Sequence, residues 1–247
     1  MGGAAGLKKQ FESVLGSGVL EWQARRAPDL VSSGVLEVDR ATGGLPRGCL
    51  TEIFGMASSG RTSLLVAILA AATAREEVCA LVDAEDAFDP VSAAAGGVRL
   101  DRLLWVRCGH SAEYALKAVD LLIQGGGFGV VAMDLGDTPP AMARRISLTS
   151  WFRLRRAVEH TPIVLLAVAR RPNAKTCASL LLECAREGVA WGGPGYPPLS
   201  WVRLPSLLRG MHVQVARRKP VRAVGASFYC GWPEETDDKK RSSVLLV

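Results

Sequence analysis

The sequence predicts an α/β fold: a mostly parallel, twisted sheet with helices on both faces and antiparallel strands at one end. Three observations predict it. Short apolar runs such as Val130-Val-Ala-Met133 alternate with longer segments of helical periodicity, the pattern of strands buried on both faces. A glycine-rich turn, Gly55-Met-Ala-Ser-Ser-Gly-Arg-Thr-Ser63, stands between one such run and a helix, the setting of a phosphate-binding loop. After residue 170 the alternation changes, and 211–216 and 223–229 read as antiparallel strands.

Composition agrees with one domain. The 247 residues are 49% apolar, enough for a sizeable core. No apolar run reaches the roughly 18 residues of a membrane helix. The first ten residues lack a secretory pattern, and Gly6 stands where a myristoylation signal needs Ser or Thr; a cytoplasmic protein with no membrane contact is expected. Six scattered cysteines without a C-x-x-C pair read as buried reduced thiols, and three isolated histidines argue against a metal centre. The net charge of +6 gathers at Arg144-Arg145, Arg153 to Arg156, Arg170-Arg171 and Arg217 to Lys219. Such clusters suit nucleic acid, an acidic partner or plain solvation.

In chain order, residues 1–30 form an N-terminal arm, with Leu7, Phe11, Val14 and Leu15 at helical spacing. A core follows over 31–231. Residues 50–54 read as a strand, 62–75 as a helix of good formers, and 78–82 and 103–106 as strands. Residues 111–124 form an amphipathic helix capped by Ser111 and stopped by Gly125-Gly-Gly127. Residues 130–133 are a buried strand ending in Asp134. Residues 140–160 read as one long helix with Pro140 in its first turn, and 163–168 as a further central strand. Residues 179–191 fit helix or strand equally, and 192–198 is loop. From 232 to 247 the chain is a charged, flexible tail.

The glycine-rich turn fits G-x-x-x-x-G-K-[ST] at every position but one, where Arg61 replaces lysine. Its backbone N–H groups form an anion site whatever the side chains are. Gly55, Ser58, Ser59, Gly60, Arg61, Thr62 and Ser63 are therefore candidate nucleotide-binding residues. Lysine is a compact point charge and arginine a larger planar fork, so Arg61 either clamps a phosphate or points elsewhere.

With its flanks, this loop resembles the ATPase core of RecA-type recombinases over about 31–229. "VSSGVLEVDRATGGLPRGCLTEIFGMASSGRTSLL" is similar to that family's opening segment and phosphate loop, "CALVDAEDAFDP" (79–90) to its Asp-Ala-Glu-x-Ala-x-Asp-Pro segment, "VVAMD" to its Walker B strand, and "VQVARRKPVRAVGASFYCG" (213–231) to its closing strands. The resemblance implies a RecA-like core with ATP and Mg2+ as cofactors. Thr62 and Asp134 would hold the metal, Glu85 would be the general base, and Asp89 would lie near adenine. Arg217 and Lys219 would reach a neighbour's nucleotide. The plain alternatives are a strand cap for Asp134, an exposed loop carboxylate for Glu85 and a solvated edge for Arg217.

The departures from the family run in one direction. Besides Arg61, Ser92 takes the place of an aromatic that stacks on adenine. The strand at 163–168 runs into Val168-Ala169 instead of a polar pair, and both DNA-binding loops are cut short. With those losses the chain resembles the ImuA branch, which implies an accessory role in SOS-induced mutagenesis and translesion synthesis. Its implied partners are a Y-family polymerase-like protein, an error-prone replicative polymerase, and RecA or a copy of itself through "KKQFESVLGSGVL" (8–20). Weak phosphate contacts to DNA are a further possibility.

Three readings follow: an adaptor with weak or absent ATPase, a DNA-dependent ATPase of recombinational repair, and a modulator that caps recombinase filaments. The arginine-rich helix offers Trp151 and Phe152 as interface anchors; the plain alternative packs Trp151 on the sheet.

Overall fold

The computed structural model describes residues 28–192, 207–220, 225–231 and 244–245. The first 27 residues of the arm, most of the 192–198 loop and all of the tail but two residues lie outside that set.

The chain opens with strand β1 (Leu30–Val31), helix α1 (Leu36–Thr42) and strand β2 (Leu45–Pro46), with β1 and β2 paired antiparallel. The core continues as β3 (Cys49–Phe54), α2 (Arg61–Ala74), β4 (Cys79–Asp83), α3 (Pro90–Ala95), β5 (Leu103–Arg107), α4 (Ala112–Gly125) and β6 (Val130–Leu135). Then come α5 (Pro140–Ala143), α6 (Leu148–Val158), β7 (Val164–Ala169), β8 (Leu180–Gly192), β9 (Leu207–Lys219), β10 (Gly225–Gly231) and β11 (Val244–Leu245). Nine strands form one sheet in the order β11-β10-β9-β8-β3-β7-β6-β4-β5. From β8 to β5 every pair is parallel; β8–β9 and β9–β10 are antiparallel. This is the predicted architecture, and it resolves the ambiguous 179–191 stretch as strand.

Alternation along the strands sorts the core into two layers. Ile53, Leu81, Ala132 and Leu166 face α2, which is buried on nearly all sides. Leu50, Val82, Met133 and Leu165 face the opposite way, onto α4 and α6. The long helix expected over 140–160 is instead two. The first ends after one turn at Ala143, and Ser147 starts the second by accepting a hydrogen bond from the Ser150 N–H at 3.1 Å. A serine that caps competes with a serine inside a helix, and here the cap wins.

Ser111 caps α4 as expected, through the Tyr114 N–H at 3.2 Å. Ser111→Ala is expected to lower stability by about 1 kcal/mol, read from urea unfolding. A loss within error would mean that the cap is replaced by solvent.

All six cysteines are free thiols, five of them buried and Cys49 partly so. Burial pushes Cys79 and Cys184 up to about 12, which keeps both protonated and inert.

Candidate phosphate-binding site

The loop after β3 sits mid-sheet, between the ends of β7 and β8, at the carboxyl edge where open α/β sheets bind ligands. Two glycines are dictated by the geometry. A β-carbon on Gly55 would run into the Cys184 carbonyl, and one on Gly60 into the Val213 side chain. Gly60 also has φ 87°, in the left-handed region, as has Ser58 at 57°. The loop closes on itself through the Ser59 N–H to the Met56 carbonyl. The N–H groups of Ser58, Gly60, Arg61, Thr62 and Ser63 have no hydrogen-bond partner among the described residues. They form an open cradle of donors at a helix N-terminus, which fits an oxyanion.

The side chains tell a different story for Arg61. It is only 6% exposed, and its Nη1 donates to the Gly136 carbonyl, just beyond β6, at 3.1 Å. Burial lowers its pKa; Asp134 and Asp137 oppose that, and Arg170 adds to it. The Arg170 Nε donates to the same carbonyl at 3.1 Å while its Nη2 meets Asp137 at 3.5 Å. Two guanidinium groups thus converge on one main-chain oxygen. Arginine stays charged under such shifts, and one of its five N–H donors holds the loop's cation toward the protein's own backbone. Arg170 was visible in sequence only as part of a charge cluster.

Asp134 accepts the Gly136 N–H at 2.7 Å. Burial pushes its carboxyl up to about 6, with the hydrogen bond to Gly136 and the nearby Arg61 pulling the other way. The Thr62 hydroxyl is exposed, with no partner among the described residues. Ser59 Oγ is buried without one, and Ser63 hydrogen-bonds the Cys230 thiol.

Glu85 follows β4 and is held from two sides. Thr138, itself buried, donates its hydroxyl to Oε1 at 2.7 Å, and His110 Nδ1 lies 3.1 Å from Oε2. His110 thus meets a carboxylate 25 residues away in sequence. The loop's organiser is Asp83, which the sequence reading passed over. Its carboxylate accepts the Glu85 N–H, the Phe88 N–H and the Trp105 indole N–H at 3.2, 2.9 and 3.3 Å. Asp89 caps α3, accepting the Val91 and Ser92 N–H groups at 3.1 and 3.2 Å and the Ser92 hydroxyl. The Ser92 hydroxyl, followed by the Val91 N–H, holds its carboxyl below the usual range.

A second missed acid is Glu52, fully buried in β3. It accepts the Asn173 N–H at 2.5 Å and the Ala174 N–H at 3.2 Å, so it ties the turn after β7 to the sheet. Its signal in the sequence is a lone carboxylate inside an apolar strand. That turn and the 138–144 segment flank a hollow of about 230 Å3 lined by Arg144, Arg170 and Arg171.

Arg217 and Lys219 are not brought to the loop. The Lys219 ammonium donates to the Thr176 carbonyl at 3.0 Å and to the Ala178 carbonyl. Arg217 lines a separate hollow of about 1030 Å3 with Cys49, His160, Ser179 and Leu180, beside the start of β3 and so at the opposite end of that strand from the loop.

Fold and loop together define an α/β core of the phosphate-loop type, with an intact backbone cradle and a redirected cation. The family model of the RecA N-terminal domain matches residues 7–140, and the chain belongs to that family. It is 38% identical over 156 residues to Protein RecA of Deinococcus radiodurans, covering 56% of this chain and 43% of that one. Against Protein RecA of Methylococcus capsulatus it is 43% identical over 132 residues, 52% of this chain and 37% of that one. Against that of Laribacter hongkongensis it is 40% identical over 131 residues, 51% and 37%. The match spans less than half the length of each of these relatives. Among the described residues no helix is long and apolar enough to cross a membrane.

Proposed function

We propose that this chain is a RecA-like accessory protein of bacterial DNA damage tolerance, of the ImuA kind. It works in the cytoplasm in SOS mutagenesis and translesion synthesis, as an adaptor with weak or absent ATPase. Its core spans 31–231, with the arm before it and the tail after it. Its partners are a Y-family polymerase-like protein and an error-prone replicative polymerase, with RecA or a second copy through the arm.

The observation that carries this reading is Arg61: buried, and hydrogen-bonded to Gly136 rather than left open over the cradle. Phosphoryl transfer depends almost wholly on positioned charge, and a cation held toward the backbone is not positioned as the loop's lysine would be. The residues fit the phosphate part of a nucleotide through the free N–H groups of 58 and 60–63. Thr62 and Asp134 would hold Mg2+, which when bound would neutralise phosphate charge. Burial raises the Asp134 carboxyl to about 6, which leaves it largely ionised at neutral pH, the form a metal needs. With Arg61 turned away from the cradle, ATP and Mg2+ bind weakly, and any DNA contact runs through phosphates.

A DNA-dependent ATPase is the second reading. It is favoured by Glu85, whose carboxylate is held in place by Thr138 and His110 as a general base would need. ATP turnover with magnesium, with and without single-stranded DNA, separates the two. Background turnover in the parent and in Glu85→Gln and Arg61→Lys is expected. Turnover that DNA stimulates and Glu85→Gln lowers by about a hundredfold or more would replace the adaptor by the ATPase.

A further inference from the structure

The side chain of Arg61 starts in the loop after β3 and ends at Gly136 after β6, so it crosses the width of β7, two strand spacings or about 9.5 Å. There it meets Asp134. A β-carbon on Gly136 would lie 2.8 Å from Asp134 Oδ1 and 3.3 Å from Arg61 Nη1, so the two side chains close on the same point. After burial, which lowers it, the largest influence on the Arg61 guanidinium is the Asp134 carboxylate, which raises it. The other carboxylates nearby have partners of their own. Asp137, just beyond β6, meets Arg170 at 3.5 Å. Asp83, level with Asp134 on β4, accepts three N–H donors.

A phosphate in the cradle would meet the open N–H groups of residues 58 and 60–63. Ser59 belongs with them. It is 4% exposed, its hydroxyl has no partner among the described residues, and it lies against Gly55 at the other end of the loop. A buried hydroxyl left without a partner is costly, and a ligand oxygen would relieve it. An unmatched Asp134 would repel the incoming anion, a repulsion that a bound metal ion ordinarily removes. Here a guanidinium anchored in the loop itself stands beside that carboxylate, and it cannot dissociate or be chelated.

We propose that Arg61 is the built-in counter-ion of Asp134, and that the cradle therefore binds phosphate groups without a metal, inorganic pyrophosphate included. The ligand class follows from the donors. Main-chain N–H groups recognise phosphate oxygens, whatever the phosphate is attached to. The proposal rests on the phosphate-loop reading and deepens it: the weak phosphate binding expected there needs no Mg2+.

The test is calorimetric titration of the full chain with inorganic pyrophosphate at about pH 8, where Asp134 is ionised, first in EDTA and then in magnesium. Binding in EDTA with Kd of about 1 mM or tighter is expected, and magnesium should change it by less than about threefold. Arg61→Ala should weaken binding in EDTA at least about tenfold, because Asp134 is then unmatched. Arg61→Ala/Asp134→Asn should return to within about threefold of the parent. Arg156 is exposed near the end of α6, beside the start of β7 and far from the loop; Arg156→Ala removes the same charge and should change binding by less than about threefold. The comparison of EDTA with magnesium needs no variant, so it decides even if Arg61→Ala does not fold. No binding in EDTA would overturn the proposal. So would a double variant as weak as Arg61→Ala, which would make Arg61 a direct phosphate contact, or an equal loss in Arg156→Ala, which would make the effect one of bulk charge. ATP turnover enters none of these measurements, so the adaptor reading is tested separately.

Discussion

Replacing Trp151 with alanine is expected to cost about 3–5 kcal/mol of stability, while Phe152→Ala next to it costs under about 1 kcal/mol. Trp151 lies in the core between α6 and the sheet at 1% exposure, with Leu154, Val158 and Leu50 in the same cluster. Removing the indole leaves a cavity that this layer fills only in part. Phe152 points into solvent, so its truncation removes little buried area. The intermediate variant Trp151→Phe should lose much less than Trp151→Ala. The indole Nε1 is buried without an acceptor among the described residues, so no hydrogen bond goes with it. Urea unfolding of the three variants reads this directly. A Trp151→Ala variant as stable as Phe152→Ala would mean that α6 is held by its neighbours rather than by its own anchor.

The same helix shows what was legible in the sequence. Apolar runs bounded by turns identify β3 to β7 to within a few residues, because burial leaves few polar positions in those strands; β8, which pairs parallel with β3, was not told from a helix. The break at 144–147 was not legible. Pro140 marks one start, the apolar and arginine spacing runs on, and only the Ser147 side chain, turned back on Ser150, makes the second start. Strand order was out of reach as well, since β3 pairs with β7 and β8 more than a hundred residues later in the chain.

The candidate site divides in the same way. Gly55 and Gly60 were readable as a backbone requirement, which is local. The direction of Arg61 was not, because it depends on a carbonyl 75 residues further on. The clamp on Glu85 needs His110 and Thr138 from two other loops, and Glu52 acts on a turn 121 residues away. Residue types name the chemistry available at a site, whereas long-range hydrogen bonds decide which of it is used.

Asp134→Asn is expected to stabilise the protein by up to about 3 kcal/mol above neutral pH. The Asp134 carboxyl is raised by burial from 3.8 to about 6, so folding favours its protonated form. The stability it contributes is fully present below about pH 4 and is lost as pH rises through about 6, a difference of about 3 kcal/mol. An asparagine carries no charge, and its Oδ1 can still accept the Gly136 N–H that the carboxylate holds. The two proteins should therefore match below about pH 4, part between about pH 4 and 6 and stay apart above that, the asparagine form being the more stable. The attraction to Arg61 is already contained in that shift, since it lowers the Asp134 carboxyl against the effect of burial. Unfolding at about pH 4, 6 and 8 measures it. A variant weaker than the parent at pH 8 would mean that Arg61 holds Asp134 ionised as a stabilising pair. Under either outcome Asp134 is ionised at about pH 8, the form that Mg2+ would need. If the loop holds the metal, magnesium with ATP raises the melting temperature of the parent at that pH and not of the variant. If neither melting temperature moves, the loop keeps its shape without the metal chemistry.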